Sequence, residues 1–311
     1  MMLSRNILPR IYRKLNEIAL CGLNEDYARI RRIPQHLDLI NLGSNPAKYG
    51  LDYADTGVKA FNLAVGPQTL EYDFRMLKNY HSFLDEKGAK LLLLLLCPFS
   101  LLKFRYTEYD GDACRDHRYY PILHHSMINN YEEQTYTDLK KRTLLHLLKH
   151  PLRLLSILKG TAHKKMKSET NPLNEQQMTS SAEGYIRGWM REFGLHNFEL
   201  KDIPQSVKND LQKNSEILDE IKAFCDERGI KPVIVLPPVS EYIMGNIPKG
   251  IREYCTYSIL KQKDILMLDY MNDHTYNQPA NFVDALCLNK TGRRKFTQGV
   301  LSDLKRLKLL K

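Results

Sequence analysis

Six consecutive leucines closed by Cys97-Pro98, in the run "AKLLLLLLCP" (89–98), constrain the fold more than any other stretch. A strand with one wet face alternates apolar and polar residues. A run without alternation must be covered on both sides, the mark of a central strand in a parallel sheet. Pro98 brings no backbone N–H and ends the ladder.

Around that run the chain alternates strand and helix signals. "HLDLINLGS" (36–44) and "VKAFNLAVG" (58–66) are short apolar runs stopped by glycine. In "PQTLEYDFRMLKNYHSFLDEKG" (67–88), Leu70, Phe74, Leu77, His81 and Leu84 fall on one helical face, with Gly88 as the stop. Residues 206–229 repeat the helical spacing with Leu211, Leu218, Ile221 and Phe224/Cys225. "IKPVIVLPP" and "DILMLDY" are two further strands, and a last helix is predicted from about Asn289, a suitable N-cap, to Leu310.

This order predicts an α/β fold: a three-layer α/β/α sandwich on a mainly parallel five-stranded sheet of flavodoxin-like type, read as one domain over 1–311. Ligands of such sheets bind outside the carboxyl ends of the strands. Those ends are Gly43-Ser44-Asn45, Val65-Gly66-Pro67, Cys97-Pro98-Phe99, Pro237-Pro238 and the loop holding Asp284.

Residues 101–205 exceed what a crossover needs and read as a helical insertion or lid over the strand ends. From Lys140 to Lys167 it carries nine Lys/Arg and no acid, with leucines over 144–158 that would make an apolar face beside a basic one. Two readings stand: a packed lid with a solvated basic side, or a surface for an anionic membrane. A polar stretch, "KSETNPLNEQQMTSSAEG", follows.

The net charge of +10 is spread over three regions, and no nucleic-acid motif with interleaved aromatics is present, so nucleic acid is not an expected partner. Six cysteines (21, 97, 114, 225, 255, 287) stand far apart without a Cys-x-x-Cys pair or clustered histidines. A reducing, cytoplasmic setting is expected, with neither metal nor cofactor. No signal peptide is read at the N-terminus, and the longest apolar run is too short to span a bilayer.

Three segments, "NLGSNPAKYGLDY", "FNLAVGPQTLEYDFRMLKNY" and "FVDALCLNKTGRRKFT", together resemble the SGNH (GDSL-like) hydrolase superfamily, closest to the branch met in bacterial cell-surface polysaccharide synthesis. The resemblance covers 37–100 and 230–300. It implies acyl-ester chemistry: a serine after the first strand, an Asp-x-x-His pair near the end, and an oxyanion held by loop N–H groups, here with Gly66 as a donor. It also implies a glycan or acylated saccharide as partner.

This chain departs from the pattern at both essential positions. The nucleophile's place in Gly-Ser-Ser is taken by Asn45, with Ser44 one residue earlier. Asp-x-x-His reads Asp284-Ala285-Leu286-Cys287, and "CPFS" carries no Gly-x-Asn-Asp. An amide forms no acyl-enzyme, and a thiol beside a carboxylate is a poor proton shuttle. The expectation is a catalytically degenerate member that binds in the old cleft. Alternatives are an active esterase or acyltransferase using Ser44, or less readily Cys287, and a peripheral membrane or scaffold protein acting through 140–167. His274, His117, His124 and His125 lack triad spacing. Tyr72, Tyr106, Tyr119 and Tyr120 are candidate stacking surfaces for a sugar.

Overall fold

The computed structural model describes residues 7–103, 116–158, 173–196 and 198–311. In chain order the longer elements begin with α1 (Ile7–Leu23), β1 (Leu39–Gly43), β2 (Ala60–Asn62), α2 (Leu70–Tyr80) and β3 (Leu91–Leu95). They continue with α3 (Glu133–Lys149), α4 (Pro151–Leu158), α5 (Glu175–Phe193), α6 (Gln205–Glu227), β4 (Lys231–Leu236), β5 (Leu266–Asp269) and α7 (Lys290–Arg306). These elements fall into two compact units, residues 34–104 with 167–311 and residues 1–33 with 105–166. The expected insertion at 101–205 is therefore shared between them.

The larger unit is the expected α/β sandwich. Its five strands run in the order β2-β1-β3-β4-β5, every neighbouring pair parallel. Leu91–Leu95 lie at the centre, in register with Leu39–Gly43 on one side and Lys231–Val235 on the other. All five leucines are buried. Side chains that alternate between two faces can all be buried only if helices cover both, which makes the architecture three-layered. Each such leucine contributes about 1.5–3 kcal/mol of transfer free energy. On one side α2 packs against α6 and β1, and α6 against β4.

Two elements are shorter than their apolar patterns predict, and each stops where side-chain or backbone partners compete. β2 ends at Asn62, whose amide donates to the carbonyls of Ala47 and Leu51 while its oxygen accepts from Ala64 N–H at 3.1 Å. α2 ends at Tyr80 in a 3-10 turn, His81–Phe83, because the chain there joins Leu37: Leu37 N–H donates to Phe83 and Asp85 N–H to Leu37. β1 ends on Gly43 at φ +131°, where a Cβ would stand 2.6 Å from the Leu95 carbonyl oxygen and 2.7 Å from Ala47 Cβ. Only glycine fits that corner.

In the smaller unit α1 packs along α3 and α4. Gly22, near the end of α1, permits the close approach, since a Cβ there would meet Thr143 at 2.5 Å and Leu147 at 2.9 Å. Tyr120 is buried in a ring cluster with Tyr131, Tyr136 and His117. Among the described residues no helix is long and apolar enough to cross a membrane.

Candidate functional site at the carboxyl ends of the strands

Sheet order reverses between β1 and β3, and a doubly wound sheet opens its binding crevice at that point. Ser44 and Asn45 leave β1 there as the cap and first residue of a short helical turn, Asn45–Lys48. Ser44 is half-buried, and its Oγ accepts from the Gln68 backbone N–H at 3.1 Å. The Asn45 amide oxygen lies against Gly66, so closely that any Cβ at Gly66 would collide with it. The first and second strand ends thus meet as expected. Gly66 is required there for close approach.

Gln68 also reaches inward, its amide donating to the Asp73 carboxylate on α2. Asp73 is almost fully buried and also accepts from the Gly43 backbone. Burial outweighs both bonds and pushes its carboxyl up to about 7. The sequence reading missed this pair. The available signal was an acid in the first turn of a helix that starts beside a strand end.

The opposite wall is the turn Asp284–Cys287. Asp284 Oδ1 accepts from the backbone N–H of Leu286 at 2.8 Å and of Cys287 at 2.7 Å. Its Oδ2 accepts from the Tyr185 hydroxyl at 3.2 Å. The turn is closed by Val283 N–H donating to the Cys287 carbonyl. Ser181 Oγ accepts from Ala285 N–H, and the fully buried Ser240 hydroxyl donates to the Ala285 carbonyl at 2.6 Å. Asn289 then caps α7 as predicted, its side chain accepting from Gly292 N–H at 2.9 Å.

Ser181 and Tyr185 come from α5; the stretch read from sequence only as polar includes Ser181 and stops one residue short of Tyr185. Asn174 and Gln177 form a reciprocal capping box at its start. The Asn-x-x-Gln spacing was the legible sign of a helix there. Met178, Ala182 and Trp189 form its buried stripe, which turns Ser181 and Tyr185 toward the Asp284 turn.

Cys287 is buried, and burial raises its thiol well above the ordinary range, with Asp284 and Cys97 adding to the rise. Tyr185 is raised chiefly by burial, then by the nearby charges of Cys287 and Asp284. Cys97, in the loop after β3, donates its backbone N–H to Ser100 Oγ, and its Sγ lies 3.1 Å from the same oxygen. Burial raises that thiol too, with Asp73 a smaller contributor. The β3 loop is therefore within electrostatic reach of both walls.

Among the described residues no hydrogen bond joins Ser44 to Cys287, or either to a histidine. His274 is exposed beyond β5, and His117, His124 and His125 belong to the smaller unit. The stacking surfaces fare no better: Tyr72, Tyr119 and Tyr120 are buried, so their faces serve the interior rather than a sugar. Tyr106 and Cys114 lie outside the described residues; the other five cysteines are free thiols. No group of three or more His, Cys, Asp or Glu among the described residues is placed to hold a metal. In comparison with known proteins, no family model matches this chain and no curated protein matches it.

Proposed function

We propose that this chain is an SGNH-hydrolase-like protein that keeps the strand-end cleft but no longer hydrolyses esters. It binds a glycan, an acylated saccharide or a partner enzyme of bacterial surface polysaccharide synthesis. One observation carries this reading: each reactive group at the triad positions is committed to a structural partner. Ser44 Oγ accepts a backbone N–H, Asp284 accepts three donors, and the buried Cys287 holds its proton. A serine hydroxyl becomes a nucleophile only when a base lies within hydrogen-bond reach. The cysteines found free support a reducing, cytoplasmic setting.

Aryl acetate turnover and fluorophosphonate labelling test the proposal. The expected outcome is no turnover and no label on Ser44. Turnover or labelling that disappears in Ser44→Ala would establish the active esterase instead. In parallel, an acetylated oligosaccharide at about a hundred times its Kd should stabilise the fold by about 2.7 kcal/mol, read as a rise in Tm. No rise across a broad glycan panel would count against the saccharide as occupant and leave the partner enzyme.

A further inference from the structure

The smaller unit holds most of the charge of the protein. Residues 1–33 and 105–166 carry 18 Lys/Arg against 10 Asp/Glu, which is +8 of the chain's +10. It also holds seven of the ten large apolar side chains exposed among the described residues. Leu145 and Leu148 stand out from α3, Leu152 and Leu155 from α4, and Ile11, Tyr12 and Leu15 from α1. Leu152 is 83% exposed and Tyr12 74%.

The pattern is helical and two-faced. On α3, Leu147 is buried and Leu145 and Leu148 face out. Lys141 and Lys149 lie four residues either side of Leu145, and Arg142 three before it, so exposed cations border the exposed leucines on the same surface. Arg153 stands between Leu152 and Leu155 on α4. From residue 139 to 158 there is no acid. Gly22 of α1 meets Thr143 and Leu147 in the last turns of α3, and α4 also packs on α1, so the three helices form one packed group. The large exposed apolar residues described in the unit thus all belong to these three mutually packed helices.

We propose that this face is an interfacial docking surface for an anionic lipid bilayer. Three helices present the apolar side chains, and the flanking Lys/Arg meet the headgroups. The chemistry selects that occupant. A protein interface centre is depleted of charge, whereas here cations alternate with leucines at single-turn spacing. No described helix can cross a bilayer, so the helices lie in the interface with their apolar side inserted. The inference rests on the smaller unit alone and stands or falls independently of the strand-end reading.

The test is sedimentation of the full chain with vesicles of neutral phosphatidylcholine, with and without about one third phosphatidylserine. The expected result is binding to the anionic vesicles that weakens steeply as salt rises and is much lower on neutral ones. Leu148→Glu and Leu152→Glu should each weaken partitioning roughly tenfold or more. Replacing Lys141, Arg142, Lys149 and Arg153 together by Gln should abolish the preference for anionic vesicles. Each change is on an exposed side chain, and unchanged circular dichroism verifies folding. The salt dependence of the unaltered chain gives a readout that needs no variant. Absence of binding, equal binding to both vesicle types, or unchanged partitioning of both glutamate variants would overturn the proposal. So would a dimer in solution that Leu152→Glu dissociates, because the face would then be covered by a second copy.

Discussion

Asp73 and Asp284 stand at the same edge of the same sheet, one in the first turn of α2 and the other in the turn before α7, and the fold treats them in opposite ways. Asp284 is half-buried and receives three donors, two of them backbone N–H groups of its own turn. Asp73 is enclosed, receives Gln68 and the Gly43 backbone, and is left with a carboxyl that protonates near neutrality. Donors stabilise a carboxylate and burial penalises it, and at Asp73 burial prevails. Asp284 organises a turn. Asp73 is a buried carboxyl, raised by burial, beside the corner that carries Ser44.

That contrast can be broken most directly at Asp73. Its pKa is about 7 in the folded state against 3.8 as the ordinary value, so the folded chain holds the extra proton between those pH values. Stability therefore falls as pH rises from about 4 to 7 and levels off above, with a full effect of roughly 4 kcal/mol. Asp73→Asn keeps an acceptor for Gln68 and removes the ionisation. The variant should be more stable than the unaltered chain at pH 7.5 and nearly equal at pH 4. Urea unfolding at the two pH values measures the difference; a constant difference would mean that Asp73 does not titrate in this window.

A smaller effect is expected at the other wall. Asp284→Ala removes the acceptor of two backbone N–H groups and of Tyr185, at a cost of about 2–3 kcal/mol. Asp284→Asn retains one acceptor oxygen for the turn and should lose less than half as much in urea midpoint. Equal losses would show that the negative charge, rather than the turn bonds, is what the site uses.

The smallest stability effect is expected at Cys287, whose replacement by Ala removes one buried sulfur, at about 1 kcal/mol. The same residue gives a kinetic readout. A buried thiol held protonated should react with a disulfide reagent at pH 8 far more slowly in the folded chain than in urea. Rapid labelling of native Cys287 would make it an accessible nucleophile and remove the contrast between an organised turn and a reactive one.

Much of the sheet was legible because apolar runs and their stops report burial directly. Leu91–Leu95 announced a central strand, and Gly43 and Gly66 were legible as stops of the first two strands, while the close approaches they permit came from the packing. The lengths of β2 and α2 were not legible, since Asn62 and the Leu37 backbone ended them through partners distant in the chain. The site was half legible. Ser44, Asn45, Asp284 and Cys287 could be named only through the resemblance to the SGNH pattern, whereas Gln68, Asp73, Ser181 and Tyr185 entered through contacts. Hydrogen bonds between segments a hundred residues apart, such as Tyr185 to Asp284, leave no local trace.

The sequence by itself determined the α/β class, the parallel sheet and the edge on which its chemistry-bearing residues gather, because periodicity and glycine placement are local and burial enforces them. Only the tertiary structure decided what those residues do there. Whether a serine is a nucleophile or an acceptor, and whether an acid is ionised or a thiol protonated, depends on the groups within about 3 Å and on exclusion of water. Both are properties of the assembled fold.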